Sequence, residues 1–278
     1  YTLSPTSVAA DNGAQFSVVV TNAQGSVTSA GATLTVTATE AGWWNAQWRY
    51  RVPYTVYTTG IGWRTDQIPT DIGALPNPYA ALWDPAHKNQ TAVIDDAHTV
   101  ISMVLLKLGI TDVNTSSADD LAKVGEALTE LKNNTSPAIA VTMFSDLAAG
   151  LIGVSQMWSD DFISTKEYLP EGVSPDVLRY WFPADGSGLV DNDLMVTPRS
   201  GRYPVAAQLF INHMLDPQVA RSNFAAVGSQ SPQVSMDADA LVGSGLIPEN
   251  LRTAIVRPEY FDTGYRILEL EPANDDAW

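Results

Sequence analysis

The chain has 278 residues, is 45% hydrophobic and 17% charged, and so has the length for two domains and the composition of a globular protein with a sizeable core. Its 31 acids against 15 bases give a net charge of -16, which argues against nucleic acid, since neutralising phosphates needs a basic face; the same acidity suits a cationic ligand, or simply keeps soluble proteins apart. The absence of cysteine excludes disulfides, thiolate metal sites and cysteine nucleophiles, and no apolar run is long enough to span a bilayer.

Tyr1 is not an initiator methionine, so the chain reads as a processed product or a fragment whose missing start held any targeting signal or membrane anchor. Residues 1–40 are rich in Thr, Ser, Ala and Val, with Asp11 and Glu40 as their charges. QFSVVVTN (15–22) and ATLTVT (32–37) alternate in hydropathy, and NAQG (22–25) is a turn signal, so a β-hairpin is expected. The stretch DNGAQFSVVVTNAQGSVTSAGATLTV resembles the last strands of a bacterial immunoglobulin-like domain, whose early strands are missing.

From residue 41 the character changes. AGWWNAQWRY holds Trp43, Trp44 and Trp48, expected as packing or surface cover. RVPYTVYTTGIGWRTD (51–66) is β-branched and aromatic and reads as strand; prolines and Gly73 make 67–80 a loop. TAVID (91–95) reads as a short strand. AHTVISMVLLKLG follows as a helix with Val100, Ile101, Val104, Leu105 and Leu108 on one face and Gly109 as its stop. Ser117 and Asp120 mark the next helix start, with Leu121, Val124, Leu128 and Leu131 as its apolar stripe. PAIAVTMF (137–144) is ambiguous between helix and strand. GLIGVSQMW (150–158) and GLVDNDLMVTP (188–198) read as strands, and 203–215 and 216–228 as helices. Strands alternating with helices predict an α/β fold with a largely parallel sheet.

No nucleophile elbow, phosphate loop, dinucleotide fingerprint or zinc-protease motif is present. His87, His98 and His213 are scattered singly and read as surface or packing residues. Neither Asp95/Asp96 nor Asp160/Asp161 makes a catalytic dyad by spacing, because adjacent carboxylates point in different directions. An enzyme is therefore not expected, and no cofactor or metal is called for. Asp96 is explained as a helix N-cap, but it also follows a strand, where α/β sheets bind ligands; a capping carboxylate has spare acceptor sites, so both readings stand. Trp158 fits packing or an aromatic wall for an aliphatic or cationic ligand. Asp193, inside an apolar strand, needs either a partner or an edge facing solvent.

RVPYTVYTTGIG (51–62), ALWDPAHKNQTAVIDDAHTVISMVLLKLG (81–109), GLIGVSQMW (150–158), GLVDNDLMVTPRSG (188–201) and AAQLFINHMLDPQVARSNFAAVGSQSP (206–232) occur in an order and spacing similar to the periplasmic spermidine/putrescine receptors of ABC transporters. The resemblance implies a two-lobed periplasmic-binding-protein fold of type 2, with an incomplete first lobe behind the immunoglobulin-like fragment. Lobe two would fill 55–195; 41–54 and 196–278 would form the remnant of lobe one and the hinge. With lobe one incomplete, apolar residues such as Leu209, Phe210 and Leu215 would be exposed. The resemblance puts Asp96, Trp158 and Asp193 at ligand-contacting positions, with Glu269 near a late one.

Two positions depart from the pattern. Thr99 stands where a second acid is frequent, and Asp191 where an aromatic is frequent, so another polyamine or small cation stays open beside spermidine. The expected function is capture of a polyamine or similar cation outside the cytoplasm, by a monomer that delivers it to ABC membrane subunits. The alternative is a surface or adhesion protein whose immunoglobulin-like module is the working part.

Overall fold

The computed structural model describes residues 51–198 and 200–268, together with the backbone of four short strands between residues 15 and 33. These are β1 (Gln15–Phe16), β2 (Val19–Asn22), β3 (Gly25–Thr28) and β4 (Ala32–Thr33). β2 and β3 pair antiparallel with Asn22 opposite Gly25, so the chain turns where the sequence predicts. The return strand differs from expectation: it starts at Gly25, and Ala32–Thr33 pairs further back with Gln15–Phe16. Trp43, Trp44, Trp48 and Glu269 lie outside the described residues.

The main sheet is built on β5 (Val52–Arg64), whose run of Val, Tyr, Thr, Ile and Trp suits a pleated surface. The other strands are β6 (Thr91–Ile94), β7 (Ala138–Ala140), β8 (Val154–Trp158), β9 (Leu178–Trp181) and β10 (Leu189–Met195). Their order is β10-β5-β8-β6-β7, with β9 also on β5. This corrects the expectation of a largely parallel sheet. β6 is parallel to β7 and β8, but β5 is antiparallel to β8, β9 and β10. Parallel pairing holds only where helices cross over between strands: α1 (Ala97–Lys107) and α2 (Ala118–Thr135) link β6 to β7, and α3 (Met143–Ala149) links β7 to β8. The ambiguous stretch 137–144 thus divides into β7 and the start of α3.

The two faces of the sheet hold separate cores. On one, Ile61, Trp63, Val93 and Val154 pack against Val104 and Leu105 of α1 and Val124 and Leu131 of α2. On the other, Val56, Ile94, Met157 and Val190 meet Phe162 of α4 (Ser159–Ser164) and Phe224 of α6 (Pro217–Val227). The face predicted for α1 is buried at Val100, Ile101, Val104 and Leu105, but Leu108 is 38% exposed. Leu108 caps the helix, and Gly109, at φ 77°, turns the chain away there. Within α5 (Pro204–Met214) Ile211 is buried and Phe210 is 59% exposed; Leu209 and Leu215 are half-buried.

Candidate functional site

A rim forms where β6 and β8 end, on the face that carries α1. Strand alternation puts Thr55, Tyr57, Thr59, Ile61 and Trp63 of β5 on this face, since Ile61 and Trp63 belong to the α1-side core. Across the ladder, Asp191 stands opposite Tyr57 and Asp193 opposite Thr55, so both acids share the face. Trp158 closes β8 opposite Thr59, and its ring meets Tyr57 edge-on with centroids 6.4 Å apart.

Asp96 enters from the helix side. Its Oδ1 accepts from Thr99 N–H at 2.7 Å, which makes it the N-cap of α1 at the positive end of the helix. Gln156, fully buried in β8, fixes that end: its Nε2 donates to Thr99 O at 3.0 Å and its Oε1 accepts from Ile94 N–H at 3.4 Å. Asp96 remains exposed, with acceptor sites beyond the cap bond. Thr99 is buried, and its backbone serves the cap and Gln156.

Asp193 is exposed and held by Thr55, whose Oγ1 donates to its Oδ2 at 2.9 Å. Asp160, in the first turn of α4 on the opposite face of the sheet, acts electrostatically on Asp193 and Tyr57 at the rim. Burial pushes its carboxyl up to about 6, with the charge of Asp193 adding to the rise; bonds from the Asp161 N–H and the Ser229 side chain oppose it. Burial and then the Asp160 charge push Asp161 up to about 7. Burial also raises Asp191, against the lowering effects of the Asn192 N–H and of Arg266.

Tyr57 ties the cluster together. Its phenol is pushed upward by burial and then by Asp191, Asp193, Asp160 and Asp96, in that order, so four carboxylates from two elements and a helix cap bear on one ring. The phenol stays neutral at physiological pH. Like charges gathered around half-buried aromatics repel one another, and a cation in their midst relieves that repulsion. The aromatic faces of Trp158 and Tyr57 offer the complementary surface for methylene groups or an ammonium. No group of acids and histidines among the described residues has the geometry to hold a metal ion.

Among the residues singled out from sequence, Asp96 and Asp193 act on the Tyr57 phenol, Trp158 packs edge-on to its ring, and Thr99 is buried behind the Asp96 cap. Sequence reasoning missed Tyr57 and Asp160 as neighbours of the rim, and noted Asp191 only as a departure from the family pattern. Tyr57 and Asp191 were recoverable from register, because both sit on the alternating face that carries Asp193. Asp160 carried no such signal: only the fold packs α4 against β5, where the charge of Asp160 acts on Tyr57. His87 is buried with Nδ1 2.8 Å from Ala81 O, and His98 lies in the first turn of α1, two residues after Asp96.

The mixed α/β sheet with its flanking helices has the type 2 periplasmic-binding fold of its structural neighbours. A family model described as bacterial extracellular solute-binding protein matches residues 5–242, and the chain belongs to that family. The match runs through the segment read as immunoglobulin-like, and the comparisons lend that reading no support. Similar proteins include the spermidine/putrescine-binding periplasmic protein of Salmonella typhimurium, 27% identical over 67% of this chain and 50% of its own length. The putrescine-binding periplasmic protein PotF of Escherichia coli is 23% identical over 83% of this chain and 64% of its own length. The chain thus spans about half the length of the first of these relatives. The crystal structure of the spermidine/putrescine substrate-binding protein PotD of Streptococcus pneumoniae has the same fold, at TM-score 0.62 and 22% identity, covering 83% of this chain and 68% of that one. The PotD lipoprotein of Treponema pallidum matches at TM-score 0.65 and 18% identity, over 84% and 69%. No helix among the described residues is long and apolar enough to cross a membrane.

Proposed function

We propose that the chain captures a small aliphatic amine of the putrescine or spermidine type outside the cytoplasm and hands it, as a monomer, to the membrane subunits of an ABC importer. Binding is non-covalent and no reaction follows it. The observation that carries this reading is the gathering of Asp96, Asp160, Asp191 and Asp193 around Tyr57, with Trp158 edge-on beside it. Asp96 and Asp193 are the exposed carboxylates of the group and pair the ammonium ends; Trp158 and Tyr57 pack the methylene chain between them. Thr99, buried under the cap, adds a wall rather than a charge. Glu269 is a further ligand contact in this reading. The printed names of the similar proteins point to the same class of ligand. An anchor ahead of residue 1 would keep the protein at the membrane.

Calorimetric titration of the chain with putrescine and with spermidine tests the proposal. Saturable heat at micromolar ligand is expected. Absence of heat with either amine at millimolar concentration rejects it.

A further inference from the structure

We infer that Arg266 is a specificity determinant of the rim: a built-in cation that engages Asp191 and biases the site toward short, doubly charged amines over longer, triply charged ones. This inference rests on the cation-binding reading above. Residues 264–268 run as a strap beside β10, the edge strand of the sheet. Tyr265 N–H donates to Gly188 O at 2.8 Å, and Val190 N–H donates to Tyr265 O at 3.0 Å. Asn114 then clamps both sides of the next residues: its Nδ2 donates to Arg266 O at 2.9 Å and its Oδ1 accepts from Leu268 N–H at 2.7 Å. The backbone of Arg266 is thus fixed on either side, and its Nε lies 3.5 Å from Asp191 Oδ1, both side chains about a quarter exposed at 29% and 25%. A surface arginine on a loose tail would be averaged away by solvent; this one is delivered by four backbone contacts.

The consequence is a count of charges. Asp191 and Asp193 share one face of β10, so a positive charge at Asp191 stands beside the carboxylate that is open to ligand. Asp96 and Asp193 remain for two ammonium groups. Of the two other rim acids, Asp160 is half-buried and Asp191 is already engaged by Arg266, so a third ammonium finds no exposed carboxylate of its own. Repulsion from the guanidinium also grows with every charge the ligand brings within a Debye length of about 10 Å.

Calorimetry with putrescine and spermidine on the 278-residue chain and on Arg266→Gln and Arg266→Lys tests this. Arg266→Gln is expected to tighten spermidine on the order of tenfold and putrescine by only about threefold, shifting the preference toward the triamine. Arg266→Lys keeps the original ratio, because the charge survives. A loosened strap without a charge effect would weaken both amines alike, and an unshifted ratio in Arg266→Gln overturns the inference. If that variant melts below the assay temperature, Asp191→Asn serves instead: it removes the carboxylate facing Arg266 and is expected to weaken spermidine more than putrescine, and equal weakening overturns the inference. Binding by the unaltered chain together with an unshifted ratio in Arg266→Gln sinks this inference alone. Failure of the unaltered chain to bind either amine overturns the functional reading and this one with it.

Discussion

The two halves of β5 share one ladder and do opposite things. From Thr59 to Arg64 the strand is buried, flanked by β8 on one edge and β9 on the other. From Val52 to Thr58 it lies beyond the end of β8, with β10 on one edge and, among the described residues, a single bridge from Val56 to Gln230 on the other. The first half is held by apolar packing, with Ile61 and Trp63 deep in the α1-side core. The second half contributes nothing to the α1-side core, and the same face that carries Ile61 and Trp63 carries Tyr57 opposite Asp191. The contrast teaches that where a neighbouring strand stops, the alternating face of a long strand changes from core to site without any change in local conformation.

The largest effect is expected from breaking the packed half. Gly60 sits where the neighbour of β5 changes from β10 to β9, and a Cβ there would lie 2.3 Å from the Trp181 carbonyl oxygen and 2.7 Å from the Tyr180 ring. The backbone oxygen cannot move aside cheaply, so Gly60→Ala is expected to cost about 3 kcal/mol of stability. A thermal melt reads this, and a melting point within a degree of the unaltered chain would refute it.

Next in size is the open half. Trp158→Ala removes the wall edge-on to Tyr57, and amine affinity is expected to fall on the order of tenfold to a hundredfold. Trp158 is half-buried, so the melting point should fall far less than in Gly60→Ala. Loss of stability without loss of affinity would make Trp158 a packing residue and assign the contrast between the halves to solvent exposure alone.

A third test uses pH. Asp160 and Asp161 titrate at about 6 and about 7 in the folded chain, against an ordinary value of 3.8, with burial as the main cause. The folded state therefore binds more protons than the unfolded state across that window, so stability falls as pH rises from about 4 to 7 and levels off above. Cation affinity moves the other way. As pH drops through about 6, Asp160 gains a proton and the rim loses a charge, so binding weakens. Melts and titrations at pH 5 and 8 check both signs, and Asp160→Asn is expected to flatten the affinity profile.

The smallest effect belongs to Tyr57→Phe. The hydroxyl is neutral and the ring carries the contact with Trp158, so affinity is expected to change by about threefold or less. A larger loss, seen by calorimetry, would mean that the phenol oxygen itself meets the ligand.

Much of this molecule is written in local pattern. Helix α1 is legible from its spacing and from Gly109, and Asp96 as its cap from the residue type, because capping and amphipathicity are set within a few residues. Strands β5, β6, β8 and β10 are likewise legible from β-branched and alternating runs. The family resemblance, carried by ordered motifs, agrees with the family match. What local pattern cannot encode is direction. The reversal of β5 against β8 and β10 depends on which edges pair at long range, and a largely parallel sheet was the wrong expectation for that reason. The same holds for the site. Asp96, Trp158 and Asp193 could be named one by one from sequence, since each sits at or beside a strand end or in a matching motif. Only the tertiary structure brought in Asp160 from α4 and Arg266 from the strap, because their effects are electrostatic. Such effects act through space, over distances that sequence separation does not measure.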